Sequence, residues 1–337
     1  MHRPVDVSVV LLTYNHERFI AQAIEGVLAQ EDVAFELVVT EDCSTDRTRE
    51  IVREYAARFP GRVRALLAPR NGGMNLTLAR GIEAARGRYV ALLDGDDYWT
   101  SPQKLRRQVD FLDAHPECAI CFHNVMVVYE DGTAPHPFHV ARPTHRVSRP
   151  VPKPVSTLAD VAPGNFLQTC SVVFRRGLFG AFPPWYTGLV VGDWPLHVLN
   201  AEHGDIGYLD EVLAAYRVHP GGVWSGSLSR LARREHVRAL HDAYVTLDRH
   251  LGGRFAPEFA RRIGALYLEA AIANRRAGRF RDALHYAGRH LAQLPPHERL
   301  LPQALIRAFL EPLRRRAARV RSRLWRVPGR PRDTGAP

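Results

Sequence analysis

Three carboxylates stand together in the segment ALLDGDDYW, residues 91–99, directly after an apolar run. Asp94, Asp96 and Asp97 would repel one another at the end of a buried strand unless a cation or a shared proton compensated their charge. Mg²⁺ and Mn²⁺ prefer oxygen ligands, and Mg²⁺ typically combines one or two carboxylates with substrate phosphates and water. The cluster is therefore interpreted as a site for a divalent cation and a diphosphate, with a solvated acidic turn as the alternative.

Strand and helix patterns place these acids at one edge of a predicted sheet. Four apolar runs of strand length are each followed by helical periodicity, and they cover residues 7–13, 35–40, 63–68 and 89–94. Parallel strands need crossovers, which are usually helices, so the sequence predicts a doubly wound, mainly parallel α/β sheet. Ligands of such sheets bind outside the carboxyl ends of the strands. Asp42 would share that edge with the three acids, and Arg70 and Arg80 of the third crossover would supply positive charge for phosphates.

The remaining patterns predict a loop, two local features and a helical region. Residues 134–164 are rich in proline and are interpreted as a loop or as a mobile flap beside the site. Gly87 is predicted to be the C-cap of the third helix, and residues 206–219 to form two strands joined by a turn. One tetratricopeptide-like hairpin is predicted at residues 267–295, and a single copy does not make a solenoid. The predicted organisation is an α/β domain at 1–226, a helical region at 227–312 and a basic tail at 313–337.

Composition excludes several classes of protein. The 337 residues are 46% hydrophobic, which is enough for an ordinary core. No run approaches the ~18 consecutive apolar residues of a membrane helix, and the first strand-like run begins at Val7, too early for a signal peptide. A cytoplasmic location is therefore expected. Four cysteines are too few for a disulfide framework, and Cys118 and Cys121 lie in an apolar run that favours a core strand over metal or redox chemistry.

The formal net charge of +11 admits three kinds of partner: nucleic acid, an anionic membrane, or a polyanionic ligand such as a nucleoside diphosphate. Residues 305–332 alternate apolar residues with arginines, as an interfacial helix does on anionic lipid. Weak peripheral membrane binding is predicted for this segment, and a solvated charged helix is the alternative. No nucleic-acid partner is expected, because acids that point into a phosphate-binding crevice oppose nucleic acid.

Several segments, in their order and spacing, resemble family 2 glycosyltransferases of GT-A fold. They are VSVVLLTYNHERFIAQAIEGVLAQ, FELVVTEDCSTDRT, RNGGMNLTLARGIEAARGRYVALLDGDDYWTSPQKLRRQVDFL, GDWPLHVLNAEHG and YRVHPGGVWS, and they extend from Val7 to Ser225. The resemblance implies a nucleotide-diphosphate-sugar donor, a hydroxyl acceptor, bound Mg²⁺ or Mn²⁺, and a direct displacement that inverts the anomeric centre. The membrane binding predicted for residues 305–332 would suit a lipid-linked glycan as the acceptor. The chain lacks the Q-x-x-R-W motif of processive synthases, so a single-addition transferase of cell-surface glycan or glycoconjugate biosynthesis is expected.

The resemblance also implies roles for four residues in the transfer itself. Asp193, in GDWPL, matches the catalytic base, since an acceptor hydroxyl is a poor nucleophile until a carboxylate takes its proton. A helix N-cap is the alternative role for this residue. Asp97 matches a metal ligand and Asp94 could share that task, so the pair of acids that binds the ion stays open. His219, in YRVH, resembles a late histidine that completes the metal or diphosphate site in some members, with a structural histidine as the alternative.

Contacts with the nucleotide sugar are implied for a further set of residues. Asp42 matches the acid that reads the edge of the base, and Asp96 matches the acid near the ribose. Glu41 and Cys43 flank Asp42 where the family usually has aspartate and glycine, so a shift in base recognition is expected. The other positions placed at the donor are Thr13, Tyr14, Asn15, Glu17, Arg80 and Trp194. Candidates for stacking on sugar faces, or for core packing, are Trp99, Trp194 and Trp224.

Two other functions compete with glycosyl transfer. A phosphatase of the haloacid-dehalogenase type would use Asp94 as nucleophile and Asp96 as acid/base, but its motif normally opens the domain and has threonine or valine at the position of Tyr98. A non-enzymatic basic scaffold or RNA-binding protein would explain the arginines and leave the acids without a role. Neither a P-loop nor a G-x-G-x-x-G opens the first helix. Glycosyl transfer is therefore the function expected from the sequence.

Overall fold

A mixed β-sheet forms the centre of the first part of the chain. The structure, a computed structural model, describes residues 5–142, 149–222 and 233–294. The strands are β1 (Val7–Thr13), β2 (Phe35–Glu41), β3 (Val63–Leu67), β4 (Tyr89–Asp94), β5 (Tyr98–Trp99), β6 (Cys118–Tyr129), β7 (His136–Pro137), β8 (Val155–Ser156), β9 (Val173–Arg175) and β10 (Asp205–Val218). The helices are α1 (Ile20–Leu28), α2 (Thr48–Arg58), α3 (Met74–Ala84), α4 (Lys104–Ala114), α5 (Leu158–Val161), α6 (Asp193–Ala201), α7 (Arg234–His250), α8 (Ala256–Arg276) and α9 (Phe280–Gln293).

The sheet order is β3-β2-β1-β4-β9-β6-β10-β5, with β7 paired to β6 and β8 to β10. β1 pairs in parallel with both β2 and β4, and β2 pairs in parallel with β3, which confirms the predicted doubly wound half. β9 is antiparallel to β4 and to β6, so the sheet is mainly parallel but mixed. The register sets Leu12 opposite Asp94 and Thr13 opposite Glu41. The carboxyl ends of β1, β2 and β4 therefore meet at one edge.

Both faces of the sheet are covered by apolar packing. Side chains along β1 and β4 alternate between two core clusters, with Val10 and Leu92 in one and Val9 and Leu93 in the other. Each fully buried aliphatic side chain of this kind contributes about 1.5–3 kcal/mol relative to exposure. Strands buried on both faces read as continuous apolar runs, which is why the sequence pattern located them.

Three local predictions differ from the structure. α3 ends at Ala84, before the predicted cap, and Gly87 instead lies against β1, where a Cβ would come 2.6 Å from the backbone nitrogen of Ser8. Residues 206–218 lie in one long strand, β10, because the polar Asp210 and Glu211 are accommodated as a register shift against β6 and not as a turn. The proline-rich segment contributes β7, β8 and α5, so its described parts are tied to the sheet.

The chain separates into two compact units. The first comprises residues 1–227 and 238–259, and the second comprises 228–237 and 260–337. In the second unit α8 and α9 form a helical hairpin, with the rings of Tyr267 and Tyr286 stacked at 6.1 Å. No helix among the described residues is long and apolar enough to cross a membrane. Residues 305–332, for which membrane binding is predicted, and Trp224 lie outside the described ranges.

Lys104 is a buried lysine within the first unit, which the sequence analysis did not predict. It has no exposed surface, its Nζ donates a hydrogen bond to Oε1 of Gln108 at 2.7 Å, and it lies 4.2 Å from the centroid of the Trp99 ring. Burial lowers the pKa of Lys104 to about 7, from 10.5 for an exposed lysine. The fold therefore favours the neutral amine near neutral pH.

This burial predicts a pH-dependent contribution to stability. Between pH 7 and 10 the unfolded chain holds a proton on Lys104 that the folded chain has released, so the contribution to the free energy of unfolding rises with pH. Lys104→Met should reduce the slope of stability against pH by up to about 1.4 kcal/mol per pH unit. Urea unfolding at pH 7, 8 and 9 measures it. The exposed Lys153→Met is the control, and equal slopes for wild type and Lys104→Met would contradict the prediction.

Candidate functional site

The three acids occupy a tight turn at the carboxyl end of β4. Asp94 is the last residue of the strand, Gly95 donates a backbone hydrogen bond to the carbonyl of Leu12 at 2.8 Å, and the amide of Asp97 donates to the carbonyl of Asp94 at 3.0 Å. A Cβ on Gly95 would lie 2.7 Å from Oγ1 of Thr13, so no larger residue fits there without displacement. The turn is thus held against β1, at the sheet edge where ligands of such folds bind.

Asp96 lies between two imidazoles. Nε2 of His219 is 3.1 Å from Oδ2 of Asp96, and Nε2 of His16 is 3.8 Å from the same oxygen. Burial by itself would raise the pKa of Asp96, but the hydrogen bond with His219 and the nearby His16 lower it overall. Burial lowers the pKa of His16, and the negative charge of Asp96 opposes that effect. Asp96 is therefore the acid of the cluster that stays ionised most readily.

The pKa values of Asp97 and Asp94 are shifted in the opposite direction to that of Asp96. Asp97 is 2% exposed, and its Oδ1 accepts the backbone N–H of Arg217 at 2.8 Å. Burial raises the pKa of Asp97 well above the ordinary value, and repulsion from Asp96 and Asp94 adds to the effect. Burial likewise raises the pKa of Asp94, with repulsion from Asp96 and from Asp193. The surrounding side chains therefore do not compensate the negative charge that Asp94 and Asp97 would carry when ionised.

The donor set suits a divalent cation in its chemistry. Within the described ranges, no group of three or more His, Cys, Asp or Glu side chains stands in an arrangement that could hold a metal ion. His219 is hydrogen-bonded to Asp96, and the carboxyl of Asp97 is hydrogen-bonded to the thiol of Cys170. The acids nevertheless offer the hard oxygen ligands that Mg²⁺ and Mn²⁺ prefer, and a cation would relieve the repulsion that raises the pKa of Asp94 and Asp97.

Asp193 joins the same cluster from the start of α6. It is the first residue of the helix, and Gly192 occupies the N-cap position that had been the alternative role for Asp193. Its Oδ2 accepts a hydrogen bond from Nδ2 of Asn165 at 2.8 Å, and its Oδ1 accepts the N–H of Trp194 at 2.7 Å. Burial raises the pKa of Asp193, while these two donors oppose the rise. Its repulsion with Asp94 shows that the two carboxyls lie within electrostatic reach of each other.

The loop after β1 is tied to the loop after β2. Asn15 has a positive φ of 55°, which asparagine tolerates better than most residues, and its Oδ1 accepts the N–H of Thr45 at 2.8 Å. Oε2 of Glu17 accepts the N–H of Arg47 at 2.9 Å. Asn15 and Glu17, both predicted at the donor, thus hold two loops together. Tyr14 is 41% exposed and presents the ring of this loop to solvent.

Asp42 anchors the loop that leads into α3. Its Oδ1 accepts the N–H of Gly72 at 2.8 Å, and its Oδ2 accepts the N–H of Gly73 at 2.9 Å. Arg80 is exposed on α3 and lines a cavity of about 310 Å³ together with Arg70 and Gly72. The structure therefore places Asp42, Arg70 and Arg80 around one loop, beyond the carboxyl end of β2.

Two of the three tryptophans considered for stacking on a sugar, Trp194 and Trp99, are core residues. Trp194 is 5% exposed, its Nε1 donates to the carbonyl of Val161 at 2.8 Å, and its ring packs on Tyr244. Trp99 is 4% exposed, with its Nε1 bonded to the carbonyl of Cys170. Neither ring offers a free face to a sugar, so the donor role expected for Trp194 is wrong. Its position one residue after Asp193 turns its side chain into the core.

Comparisons with known proteins agree with this geometry. Residues 8–179 match the family described as glycosyl transferase family 2. The chain belongs to this family. Membership makes it a glycosyltransferase and overturns the phosphatase and scaffold alternatives.

Relatives in other organisms extend over most of this glycosyltransferase. The uncharacterized protein Rv1520 of Mycobacterium tuberculosis is 40% identical over 252 residues, covering 72% of this chain and 67% of its own. The succinoglycan biosynthesis protein ExoO of Rhizobium meliloti is 32% identical over 279 residues, covering 82% and 74%.

Solved structures show that the fold is of GT-A type. TarS of S. aureus, in complex with UDP-GlcNAc, aligns with a TM-score of 0.53 at 19% identity and covers 83% of this chain and 89% of that one. The mannosyltransferase PcManGT of Pyrobaculum calidifontis, in complex with GDP-Man and Mn²⁺, aligns with a TM-score of 0.57 at 20% identity and covers 96% and 88%.

Several residues of the site were missed by the sequence reasoning. His16 and Arg217 stand inside the quoted motifs TYNHE and YRVH, so proximity to a motif was the available signal. Asn165 and Cys170 had none, because their contacts with Asp193 and Asp97 arise only from tertiary folding.

The placement of Trp194 in the core gives a testable outcome. Trp194→Phe should lower the free energy of unfolding by about 1–3 kcal/mol, because it removes ring volume and one of the two donors to the Val161 carbonyl, the other being the amide of Gly164. Affinity for nucleoside diphosphate should stay within threefold of wild type. Urea unfolding and calorimetric titration measure the two quantities, and a folded variant that has lost nucleotide binding would contradict the placement.

Proposed function

We propose that this glycosyltransferase moves a single sugar from a nucleotide-diphosphate sugar to a hydroxyl acceptor, with inversion at the anomeric carbon and dependence on a divalent cation. The observation that carries the proposal is the convergence of half-buried carboxyls from β4 and α6 within electrostatic reach of one another. Inverting transfer needs one acid to take a proton and others to manage the charge of a leaving diphosphate. The complexes of TarS with UDP-GlcNAc and of PcManGT with GDP-Man support this class of donor.

Asp193 acts as the general base. Its raised pKa makes it a stronger proton acceptor than an exposed aspartate, which suits deprotonation of a sugar hydroxyl as the new bond forms. The hydrogen bond from Asn165 fixes Oδ2, and the Trp194 amide fixes Oδ1, so the carboxylate is oriented before the acceptor arrives. The proton passes from the acceptor oxygen to Asp193 while the glycosidic oxygen of the leaving diphosphate takes the bonding electrons.

Asp97 and Asp94 would hold the divalent ion, either Mg²⁺ or Mn²⁺. When bound, such an ion supplies Lewis-acid stabilisation of the negative charge on a diphosphate. His219 contributes through Asp96, which it helps to keep ionised and to orient through the hydrogen bond at Oδ2. Asp96 then stands ready to accept hydrogen bonds from the donor's ribose. The complex of PcManGT with Mn²⁺ supports the choice of cation.

The donor's nucleotide would lie along the joined loops after β1 and β2. Thr13 ends β1 beneath the acid turn, and the exposed ring of Tyr14 offers an apolar surface to a base. Asp42 uses both oxygens to hold Gly72 and Gly73, so any contact of Asp42 with the base employs its remaining lone pairs. Arg80 and Arg70 would supply charge for the phosphates from the neighbouring cavity.

The biological setting follows from the names of relatives. ExoO is a succinoglycan biosynthesis protein, and the Bacillus subtilis relative TuaG is a putative teichuronic acid biosynthesis glycosyltransferase, 35% identical over 127 residues. Both names support an acceptor in cell-surface glycan biosynthesis. A cytoplasmic location with peripheral membrane contact through residues 305–332 is part of the same proposal, since a lipid-linked acceptor would be presented at that surface.

Nucleotide titration tests the role of the acids. UDP, GDP and dTDP should be titrated calorimetrically, each with Mn²⁺ and with EDTA. We expect one nucleotide to bind in Mn²⁺ and to lose at least tenfold in affinity in EDTA, and Asp97→Ala to abolish the metal effect. Asp131→Ala, which removes an exposed acid from a turn, is the control. Binding that is equal with Mn²⁺ and EDTA would overturn the metal dependence.

The base is tested by Asp193→Asn. This change keeps the shape and the helix start but removes the proton acceptor, so sugar transfer should fall by about 10²–10⁴-fold. Nucleotide affinity should stay within threefold. Release of nucleoside diphosphate from the matching nucleotide sugar, with a panel of glycoside acceptors, gives the rate. Asp160→Asn, which changes a half-buried acid in the first turn of α5, controls for loss of charge at a helix start. Full transfer activity in Asp193→Asn would show that another group is the base.

A further inference from the structure

One buried amide holds the segment that leads into Asp193. Asn75, the second residue of α3, is 3% exposed. Its Nδ2 lies within hydrogen-bonding distance of three backbone carbonyls, at 3.0 Å from Tyr186, 2.8 Å from Leu189 and 3.1 Å from Val191. An amide has only two N–H groups, so the three carbonyls share them. A single side chain thus provides hydrogen-bond donors for three backbone carbonyls of residues 186–191, a segment that lies between β9 and α6.

The end of that stretch is packed against the same side chain. The hydroxyl of Tyr186 donates to the carbonyl of Gly192 at 3.0 Å. A Cβ on Gly192 would lie 2.3 Å from Oδ1 of Asn75, which is too close for any real contact. Oδ1 itself is buried and has no hydrogen-bond partner within the described ranges. The residue before Asp193 is therefore in direct van der Waals contact with Asn75, and the space between them is full.

The residues just before Asn75 are fixed from the other side of the site. Asp42 accepts the amides of Gly72 and Gly73, so residues 72–75 are tied to the end of β2 as well as to the segment before α6. α3 begins at Met74, between the two sets of bonds. Residues 72–75 thereby link the loop that contains Asp42, the residue predicted to contact the nucleotide, to the loop that leads into Asp193, the predicted general base.

We infer that Asn75 is a positioning residue for Asp193. It touches no reacting atom; its amide fixes the backbone of residues 186–192 and through it the start of α6. Without its N–H groups, the carbonyls of Leu189 and Val191 lose this donor, and the carbonyl of Tyr186 keeps only the amide of Leu189 at 3.3 Å, so the segment relaxes to find other donors. A displacement of about 1 Å at a reacting group can reduce a rate by about 10²-fold, so a small relaxation would be visible in turnover. The inference rests on the proposed role of Asp193 as base.

The test compares two buried asparagines. In Asn75→Ala we expect kcat to fall by about 10²-fold, with nucleoside diphosphate affinity and donor KM within threefold. Asn200→Ala is the matched control, because Asn200 is also buried, lies on α6 and, among the described residues, its side chain bonds only within its own helix, to the carbonyl of Leu196 at 2.9 Å. It should lose stability and keep kcat within threefold. Equal losses of kcat in the two variants would overturn the inference.

A double variant shows whether the effect passes through Asp193. If Asn75 acts by placing this carboxylate, Asn75→Ala combined with Asp193→Asn should be no slower than Asp193→Asn alone. Multiplying losses would overturn the inference and leave Asp193 as the base. Full activity in Asp193→Asn would remove the base assignment, and the inference with it.

Gly192→Ala approaches the same contact from the other side. It pushes against Oδ1 of Asn75 and leaves the amide in place, so it should also lower kcat with nucleotide affinity retained. It decides the question if Asn75→Ala does not fold. Wild-type kcat in folded Gly192→Ala would then overturn the inference.

Discussion

Repulsion among carboxylates at the carboxyl end of β4 is the constraint around which the site is organised. Two unit charges about 4 Å apart cost roughly 4 kcal/mol at the effective dielectric of a protein surface, several times the net value of a hydrogen bond. Neutral donors such as Cys170 cannot cancel that energy. The three acids therefore need either bound protons, which the raised pKa of Asp94 and Asp97 indicates, or a cation.

The acids differ in the groups that surround each of them, and their pKa values shift in opposite directions for that reason. Asp96 faces His16 from the loop after β1 and His219 from the end of β10, while Asp97 is hydrogen-bonded to a backbone amide and a thiol. The result is a lowered pKa in one acid and a raised pKa in its neighbour one residue away. Environments that push neighbouring pKa values apart commonly mark acids with different roles. Here one acid is suited to accept hydrogen bonds and its neighbours to bind a cation.

Sequence patterns located the parts of the fold whose signals are local. β1 to β4 and their helices follow from continuous apolar runs and helical periodicity, and the edge shared by Asp42 and Asp94 follows from parallel pairing. The predictions that were wrong concern residues whose roles depend on tertiary contacts. Gly87 serves a close approach to β1 and not a helix end, and Trp194 is directed into the core by the helix that begins at Asp193. No local pattern indicates that Lys104 is buried, because its burial depends on Trp99 and α4 together.

Irregular segments at this site depend on buried amide side chains. Gln108 donates to the carbonyl of Ser171 at 2.8 Å, beside the thiol that bonds Asp97, and Asn75 holds the approach to Asp193. Gln30 accepts the amide of Leu105 at 2.9 Å and donates to the carbonyl of Ser101 at 2.7 Å, which fixes the chain that leaves the acid turn. A buried carbonyl without a donor costs about 1–3 kcal/mol. In these loops, where the backbone no longer bonds to a neighbouring strand, a buried side-chain amide supplies the missing donor. The positions of the acid side chains therefore depend on these buried amides as well as on the sheet. Changes to the amides should reduce turnover even where the variant still folds.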